Sequence, residues 1–235
     1  MGNAGTVDSF EGNGSDARVS LFDDVNATSI GLVFEELAFE QGYRFVAGID
    51  EVGRGCIAGP VVAAACILNL KKGLPDGLND SKKLTASVRE RIAFQLKLDC
   101  IAYAIGQVEA EEIDRINILE ATKKAMLVAI ASLAPPPDFL LIDALQLKQN
   151  SLPQKAIIKG DAISASIAAA SVLAKTYRDG LMTAYDHEYP QYGFAAHKGY
   201  GASVHWKALR EHGPCPLHRL SFHGVCEQDD KLTLF

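Results

Sequence analysis

The stretch Ala47-Gly48-Ile49-Asp50-Glu51-Val52-Gly53-Arg54-Gly55 constrains this chain more than any other. An apolar run with strand character closes on two adjacent carboxylates, and a glycine-arginine-glycine turn follows at once. Acids in that place are poised to hold a cation rather than to decorate a surface. Glycines on either side of one arginine suit a backbone that presses closely against a ligand. The next apolar run, Val61 to Leu68, comes soon enough after the turn for the two runs to read as a hairpin.

Around this hairpin, strand and helix signals alternate. Ile30, Leu32, Val33, Leu37 and Phe39 space a short amphipathic helix ending near Gly42, and the first strand is expected over Arg44 to Asp50. Ser87 with Glu90 resembles a capping box for a helix running to about Leu98. Ile101 to Val108 reads as a strand, with helices from about Ala110 and over Ile118 to Leu133. Phe139 to Asp143 and Lys155 to Lys159 read as short strands. Ala162 to about Tyr185 reads as a helix whose Ala165, Ala168, Ala169 and Ala170 permit close packing on a sheet. Ser203 to His212 forms a last helix, with Gly213 as its stop. This order predicts an α/β domain over residues 28–226 whose C-terminal part, from about residue 180, is a small helical cap. Residues 1–27, rich in Gly, Asn, Ser and Asp, are expected to be a disordered leader, and residues 227–235 a flexible tail.

At 235 residues the chain is long enough for one full core. Its apolar runs are too short to span a bilayer, so no membrane partner is expected, and no secretory signal is read at the N-terminus. Five cysteines without a disulfide-like framework fit a reducing, cytoplasmic setting. The formal charge of −6 argues against a polyanionic partner only if it is spread evenly. Residues 1–27 carry −4 and residues 227–235 carry −2, so the body between them is neutral. Such a body, with acids gathered at one site and bases around it, can still bind nucleic acid.

Asp50, Asp143 and Asp161 each end or follow an apolar strand, and Glu51 adjoins the first. Acids at the strand ends of an α/β sheet can meet at one edge. Hard divalent cations take oxygen ligands and relieve the repulsion between crowded carboxylates. With two such ions, one activates water and the other stabilises the leaving oxygen of a phosphodiester. Any one of these acids reads better as a loop or cap residue. For all four together, spacing alone leaves the two readings level.

Five segments carry a more specific signal: Gly48 to Gly55, Asp80-Ser81-Lys82-Lys83-Leu84-Thr85, Leu141-Ile142-Asp143, Lys159-Gly160-Asp161 and His197-Lys198-Gly199-Tyr200. In that order they closely resemble ribonuclease HII of the bacterial type, over roughly Ser29 to Phe222. The resemblance implies a ribonuclease H-like fold, with a mixed central sheet flanked by helices and a C-terminal helical extension. It implies an endoribonuclease that hydrolyses the RNA strand of RNA–DNA hybrids, and that cuts 5′ to single ribonucleotides embedded in duplex DNA. The cut leaves 3′-hydroxyl and 5′-phosphate ends. Asp50, Glu51, Asp143 and Asp161 match the family's acidic site for two Mg2+ or Mn2+ ions, with Asp50 shared between them. Gly53, Arg54 and Gly55 match the turn that recognises the ribose 2′-hydroxyl, and Tyr200 the aromatic residue that packs on the adjoining deoxyribose. Ser81, Lys82 and Lys83 match a polar segment near the nucleic-acid groove, where lysine suits phosphate contact. Cys56 replaces the family's usual proline, with little functional consequence expected. The enzyme is expected to act as a monomer.

Rival readings are a ribonuclease H-like nuclease acting on DNA or long hybrids only, and a non-catalytic hybrid-binding protein. A dinucleotide-binding turn at Gly53 to Gly59 is disfavoured because Pro60 and a β-branched run follow it, not a helix. Cys215, His218, His223 and Cys226 have a spacing that could bind zinc only if all four converge. Tyr185, Tyr189 and Trp206 are read as core residues. Lys231-Leu232-Thr233-Leu234-Phe235 and Arg18-Val19-Ser20-Leu21-Phe22 resemble short peptides that dock on sliding clamps, and Leu232 to Phe235 is the candidate clamp contact.

Overall fold

The computed structural model describes Phe22, Val25 and residues 27–226. The other leader residues and the 227–235 tail, with its candidate clamp peptide, lie outside the described residues. Five strands form one sheet in the order β3-β2-β1-β4-β5. β1 (Val46–Val52) and β2 (Val61–Ile67) form the expected hairpin, in register from Ala47 opposite Ile67 to Val52 opposite Val62. β3 (Ala102–Val108) extends it antiparallel, while β4 (Phe139–Asp143) runs parallel to β1 and β5 (Gln154–Ile157) parallel to β4. The sheet is therefore mixed.

Period two along β2 divides the core. Val61, Ala63, Ala65 and Ile67 face α3 (Ala110–Ile116) and α4 (Ile118–Ala131), packing with Ile113, Ala121, Ala125 and Met126. Val62, Ala64 and Cys66 face α2 (Ala86–Asp99) and α5 (Ala165–Glu188), packing with Ile92, Leu96, Ala169 and Leu173. The small residues of α5 have the expected use: the helix lies so close that a β-carbon at Gly48 would overlap the backbone of Ser166 and Ile167. This contact fixes the height of the acidic end of β1 against α5.

Three local readings are corrected. The N-cap of α2 is Thr85, whose hydroxyl accepts from the Val88 N–H, so the box read at Ser87 and Glu90 lies two residues too far on. β1 continues two residues past Asp50, because Glu51 and Val52 still pair with Ala63 and Val62. β5 ends at Ile157, and a 3-10 turn over Gly160–Ala162 carries Asp161. At the other end, α1 (Val33–Glu40) packs Phe34 and Ala38 beside Phe139. Phe22, placed in the leader by sequence, is buried there and stacks on Phe139 with centroids 5.4 Å apart.

Beyond the sheet, α5 runs on into a satellite core of Ile57, Met182, Tyr192, Phe194 and Leu209. This core holds α6 (Phe194–His197) and α7 (Ser203–His212), the latter stopped at Gly213 as expected. Tyr185, Tyr189 and Trp206 are partly buried against it, in agreement with their reading as packing residues. No helix among the described residues is long and apolar enough to cross a membrane.

Candidate active site

The parallel ladder between β1 and β4 ends at Ile49 opposite Ile142. The next residue on each strand is an acid, Asp50 and Asp143, so two carboxylates separated by 93 positions stand level where the strands part. Glu51 follows on the same strand. Asp143 Oδ1 accepts from the Gly160 N–H at 2.7 Å, which brings Asp161 beside it. Asp50, Glu51, Asp143, Gly53, Arg54, Gly55, Lys82 and Tyr200 line one cleft of about 180 Å3. A neighbouring part of about 380 Å3 is lined by Asp50, Glu51, Ser81, Lys82, Arg89, Ser171, Lys175 and Tyr200.

The acids are electrostatically crowded. Asp50 is 4% exposed, and among the described residues its one backbone donor is the Glu51 N–H at 2.8 Å. Burial first, then the charges of Glu51 and Asp143, hold its carboxyl well above the usual range against the pull of the Ser171 hydroxyl. Burial also raises Glu51, opposed by the Arg54 guanidinium, and raises Asp143, opposed by the Gly160 amide. One Glu51 oxygen accepts from Arg54 at 3.2 Å, while the other is buried without a partner. Lys82 Nζ donates to Asp161 at 2.8 Å, and that contact raises the lysine although burial opposes it.

No three His, Cys, Asp or Glu side chains among the described residues stand at ligand distance of one point. The donor set nevertheless fits a hard divalent cation: the ligand atoms are carboxylate oxygens, one of them is an orphan, and burial first, then neighbouring acids, holds three of the acids above their ordinary pKa. The Cys215, His218, His223 and Cys226 spacing fits zinc less well. Both ring nitrogens of His218 are already taken, one by His205 and the other by the Cys215 backbone.

The Gly-Arg-Gly segment is a tight turn in which the Cys56 N–H donates to the Gly53 carbonyl at 3.3 Å. Gly53 has φ +92°, and a β-carbon there would strike Arg178. Gly55 has open space around it. Two arginines not anticipated from sequence hold the turn. Arg178, 0% exposed, donates to the carbonyls of Pro60, Ala58 and Lys198. Arg219, equally buried, donates to those of Gly59 and Arg54, and burial pushes its guanidinium down to about 10. The Ile57 N–H donates to the Gly199 carbonyl at 2.9 Å and the Cys56 thiol to the Lys198 carbonyl at 3.6 Å, so turn and Tyr200 loop are tied together. Tyr200 is 45% exposed toward the cleft. Ser81 is buried, its hydroxyl 2.8 Å from that of Ser171. Lys83 is exposed and is not among the residues lining either part of the cleft.

A model of the family Ribonuclease HII matches residues 47–225. A ribonuclease HII of Desulfitobacterium hafniense is 58% identical over 196 residues, covering 83% of this chain and 75% of its own. Among solved structures, a ribonuclease H2 from Pyrococcus horikoshii superposes with a TM-score of 0.67 at 27% identity, covering 79% of this chain and 97% of its own. A ribonuclease HII from Archaeoglobus fulgidus, solved in a complex with PCNA, superposes with a TM-score of 0.64 at 26% identity, covering 74% and 92%. With the sheet, the acidic cleft and these matches in agreement, the chain belongs to the ribonuclease HII family and is a metal-dependent ribonuclease H type 2 hydrolase, an endoribonuclease of RNA–DNA hybrids.

Proposed function

We propose that this enzyme cuts on the 5′ side of a ribonucleotide, including a single one embedded in duplex DNA, and leaves 3′-hydroxyl and 5′-phosphate ends. One observation carries the reading: buried Asp50 and half-buried Glu51 and Asp143 share a single cleft with the Gly53-Arg54-Gly55 turn and the ring of Tyr200. Acids alone would serve any nuclease of this fold. The turn and the ring add what a lone ribonucleotide requires, a reader of the 2′-hydroxyl and a sensor of the deoxyribose beside it.

In this reading Asp50, Glu51, Asp143 and Asp161 would hold two Mg2+ or Mn2+ ions through their carboxylate oxygens. The ions supply an activated water and positive charge at the leaving oxygen. The protein's own share is to fix these oxygens before substrate arrives. Gly53 is demanded by the fold, through its positive φ and Arg178. Gly55 is not, and its open surroundings leave the backbone free to approach a sugar hydroxyl that both donates and accepts. Lys82 serves a phosphate in the groove. Ser81 contributes through its bond to Ser171, and Lys83 from the rim.

The enzyme acts as a monomer in the cytoplasm, a setting that its five free cysteines fit. Leu232 to Phe235 is proposed as a sliding-clamp contact, a reading supported by the PCNA complex of the Archaeoglobus relative. Phe22 of the leader copy is buried and unsuited to that role.

The deciding experiment incubates a labelled duplex containing one ribonucleotide with the enzyme, with and without Mg2+, and maps the cut. Metal-dependent cleavage immediately 5′ of the ribonucleotide is expected. Cleavage of long hybrids alone would favour the rival nuclease, and binding without cleavage the non-catalytic reading.

A further inference from the structure

His197, His205 and His218 meet in the satellite core, and no step above uses them. His205 and His218 are 0% and 2% exposed. The rings of His197 and His205 stack with centroids 4.2 Å apart and planes 14° from parallel. Nε2 of His205 lies 3.0 Å from Nε2 of His218. A pair in this contact shares one proton between two nitrogens, so the partners of the two far nitrogens decide which ring carries it.

Those partners are backbone groups with fixed roles. Nδ1 of His205 is 2.8 Å from the Tyr200 carbonyl oxygen, which only accepts, so this nitrogen bears hydrogen. In a neutral ring Nε2 of His205 is then bare and accepts from Nε2–H of His218. That leaves Nδ1 of His218 bare, and the Cys215 N–H donates to it at 3.0 Å. The Cys215 carbonyl is also 3.3 Å from this nitrogen. Bonding to it would need an extra proton and a cation inside the pair, which burial opposes: desolvation holds both His205 and His218 down, to about 4. His197 is fixed by the same logic. The Gly199 N–H donates to its Nδ1 at 3.2 Å, and its Nε2–H donates to the Tyr192 carbonyl at 2.8 Å.

A directed chain of hydrogen bonds therefore runs from the Cys215 amide through His218 and His205 to the backbone of Tyr200. The Tyr200 carbonyl takes a second bond from the Ala202 N–H at 2.8 Å, and the Tyr200 N–H donates to the backbone carbonyl of His197 at 3.0 Å. Every polar group on the Tyr200 backbone is thereby held from the histidine side of the extension.

We propose that His205 and His218 are positioning residues for substrate discrimination: a neutral, direction-locked pair that fixes the Tyr200 backbone and so aims its ring into the cleft. The proposal rests on the reading of Tyr200 as the junction sensor. Neither histidine touches substrate.

The test has two readouts. Side-chain 15N NMR of the full chain at neutral pH reads the tautomers. Nδ1–H for His205 and Nε2–H for His218 are expected; the reverse assignment, or a doubly protonated ring, overturns the pair. The second readout is the ratio of kcat/KM on a duplex with one ribonucleotide to kcat/KM on a long hybrid. His205→Phe keeps the ring but removes the bond to Tyr200, and a drop of about tenfold in the ratio is expected, as for a reacting group held slightly out of place. His205→Asn keeps a donor near the Nδ1 position and is expected to restore much of the ratio. His218→Phe, which removes the donor to His205 and the acceptor of the Cys215 N–H but leaves the bond from His205 to Tyr200, should fall between them. If Tyr200→Ala lowers the ratio while folded His205→Phe keeps the wild-type value, the proposal fails and the Tyr200 reading stands. If Tyr200→Ala itself keeps the wild-type ratio, the sensor reading fails and the discrimination role falls with it. Should His205→Phe not fold, the tautomer spectrum and His218→Phe still decide.

Discussion

The acidic cleft and the arginine–histidine scaffold beneath it both bury polar groups, but they treat them in opposite ways. In the cleft, Asp50, Glu51 and Asp143 lie close together with too few donors, and one Glu51 oxygen has none. In the scaffold, Arg178, Arg219, His205 and His218 are more deeply buried, yet their ring and guanidinium nitrogens meet backbone carbonyls, amides or each other. An unsatisfied buried polar group costs about 1–3 kcal/mol. Buried atoms of Glu35, Gln41 and Thr176 also lack partners, so an orphan alone marks no site; the Glu51 oxygen differs in facing other acids at a cleft, where a cation and a substrate can supply the missing partners. Crowded carboxylates at a cleft mark the reacting centre, and satisfied buried cations and rings mark the frame that aims it.

The largest test of this contrast is Asp50→Asn. Cleavage of any hybrid should fall by about a thousandfold, the scale on which one charged partner of a reacting phosphate is missed. The metal-free protein should at the same time become more stable. Asp50 has a folded pKa raised above 3.8, so its penalty is absent near pH 4 and sets in as the pH rises and folding traps a charge. Thermal unfolding with a chelator should show the variant melting higher than wild type at pH 8, with the gap closing near pH 4. A variant that melts lower at pH 8 would mean that the cleft is not under strain.

Arg178→Met sharpens the comparison from the other side. The methionine can pack beside Met182, but the carbonyls of Ala58, Pro60 and Lys198 each lose a donor. A loss of about 3 kcal/mol is expected from urea unfolding midpoints. An unchanged midpoint would show that water replaces the guanidinium and that the frame is less dry than it looks. Tyr200→Ala is a smaller step. It should lower cleavage at a lone ribonucleotide about tenfold relative to long hybrids, the worth of one aromatic packing contact. Equal loss on both substrates would remove its sensor role.

These two regions were unequally legible in the sequence. The cleft announced itself because its acids interrupt apolar strands, and the segments around Asp50, Asp143, Asp161 and Tyr200 stand in an order specific to one family. That Asp50 and Asp143 stand level was hidden, since the register of a parallel pair is set by packing across a long crossover. The α2 cap was misread because Thr85 and Ser87 are both competent caps, and only the backbone path selects Thr85. The scaffold was missed for a different reason. Arg178 and Arg219 bond to carbonyls more than a hundred residues away, and a charged residue read locally passes for a solvated one. One signal was available: Arg178 continues the four-residue step of the buried Ala170, Ala174 and Met182 along α5.

The smallest predicted effect concerns Lys82, a cation set directly against the acids. Its ammonium sits 2.8 Å from Asp161, while its side chain is 75% exposed. It stands where positive charge is wanted, but an exposed contact of this kind is worth only about 0.2–1 kcal/mol. An ion that uses Asp161 must displace it. Lys82→Gln should therefore tighten Mg2+ binding to the free enzyme by about twofold to fivefold in calorimetry, the affinity equivalent of that contact. The same change should weaken binding to a hybrid, because a phosphate partner is lost. If Mg2+ affinity does not change, Asp161 is no ligand in the free enzyme. The strained side of the comparison then shrinks to Asp50, Glu51 and Asp143, and Asp161 joins the satisfied frame.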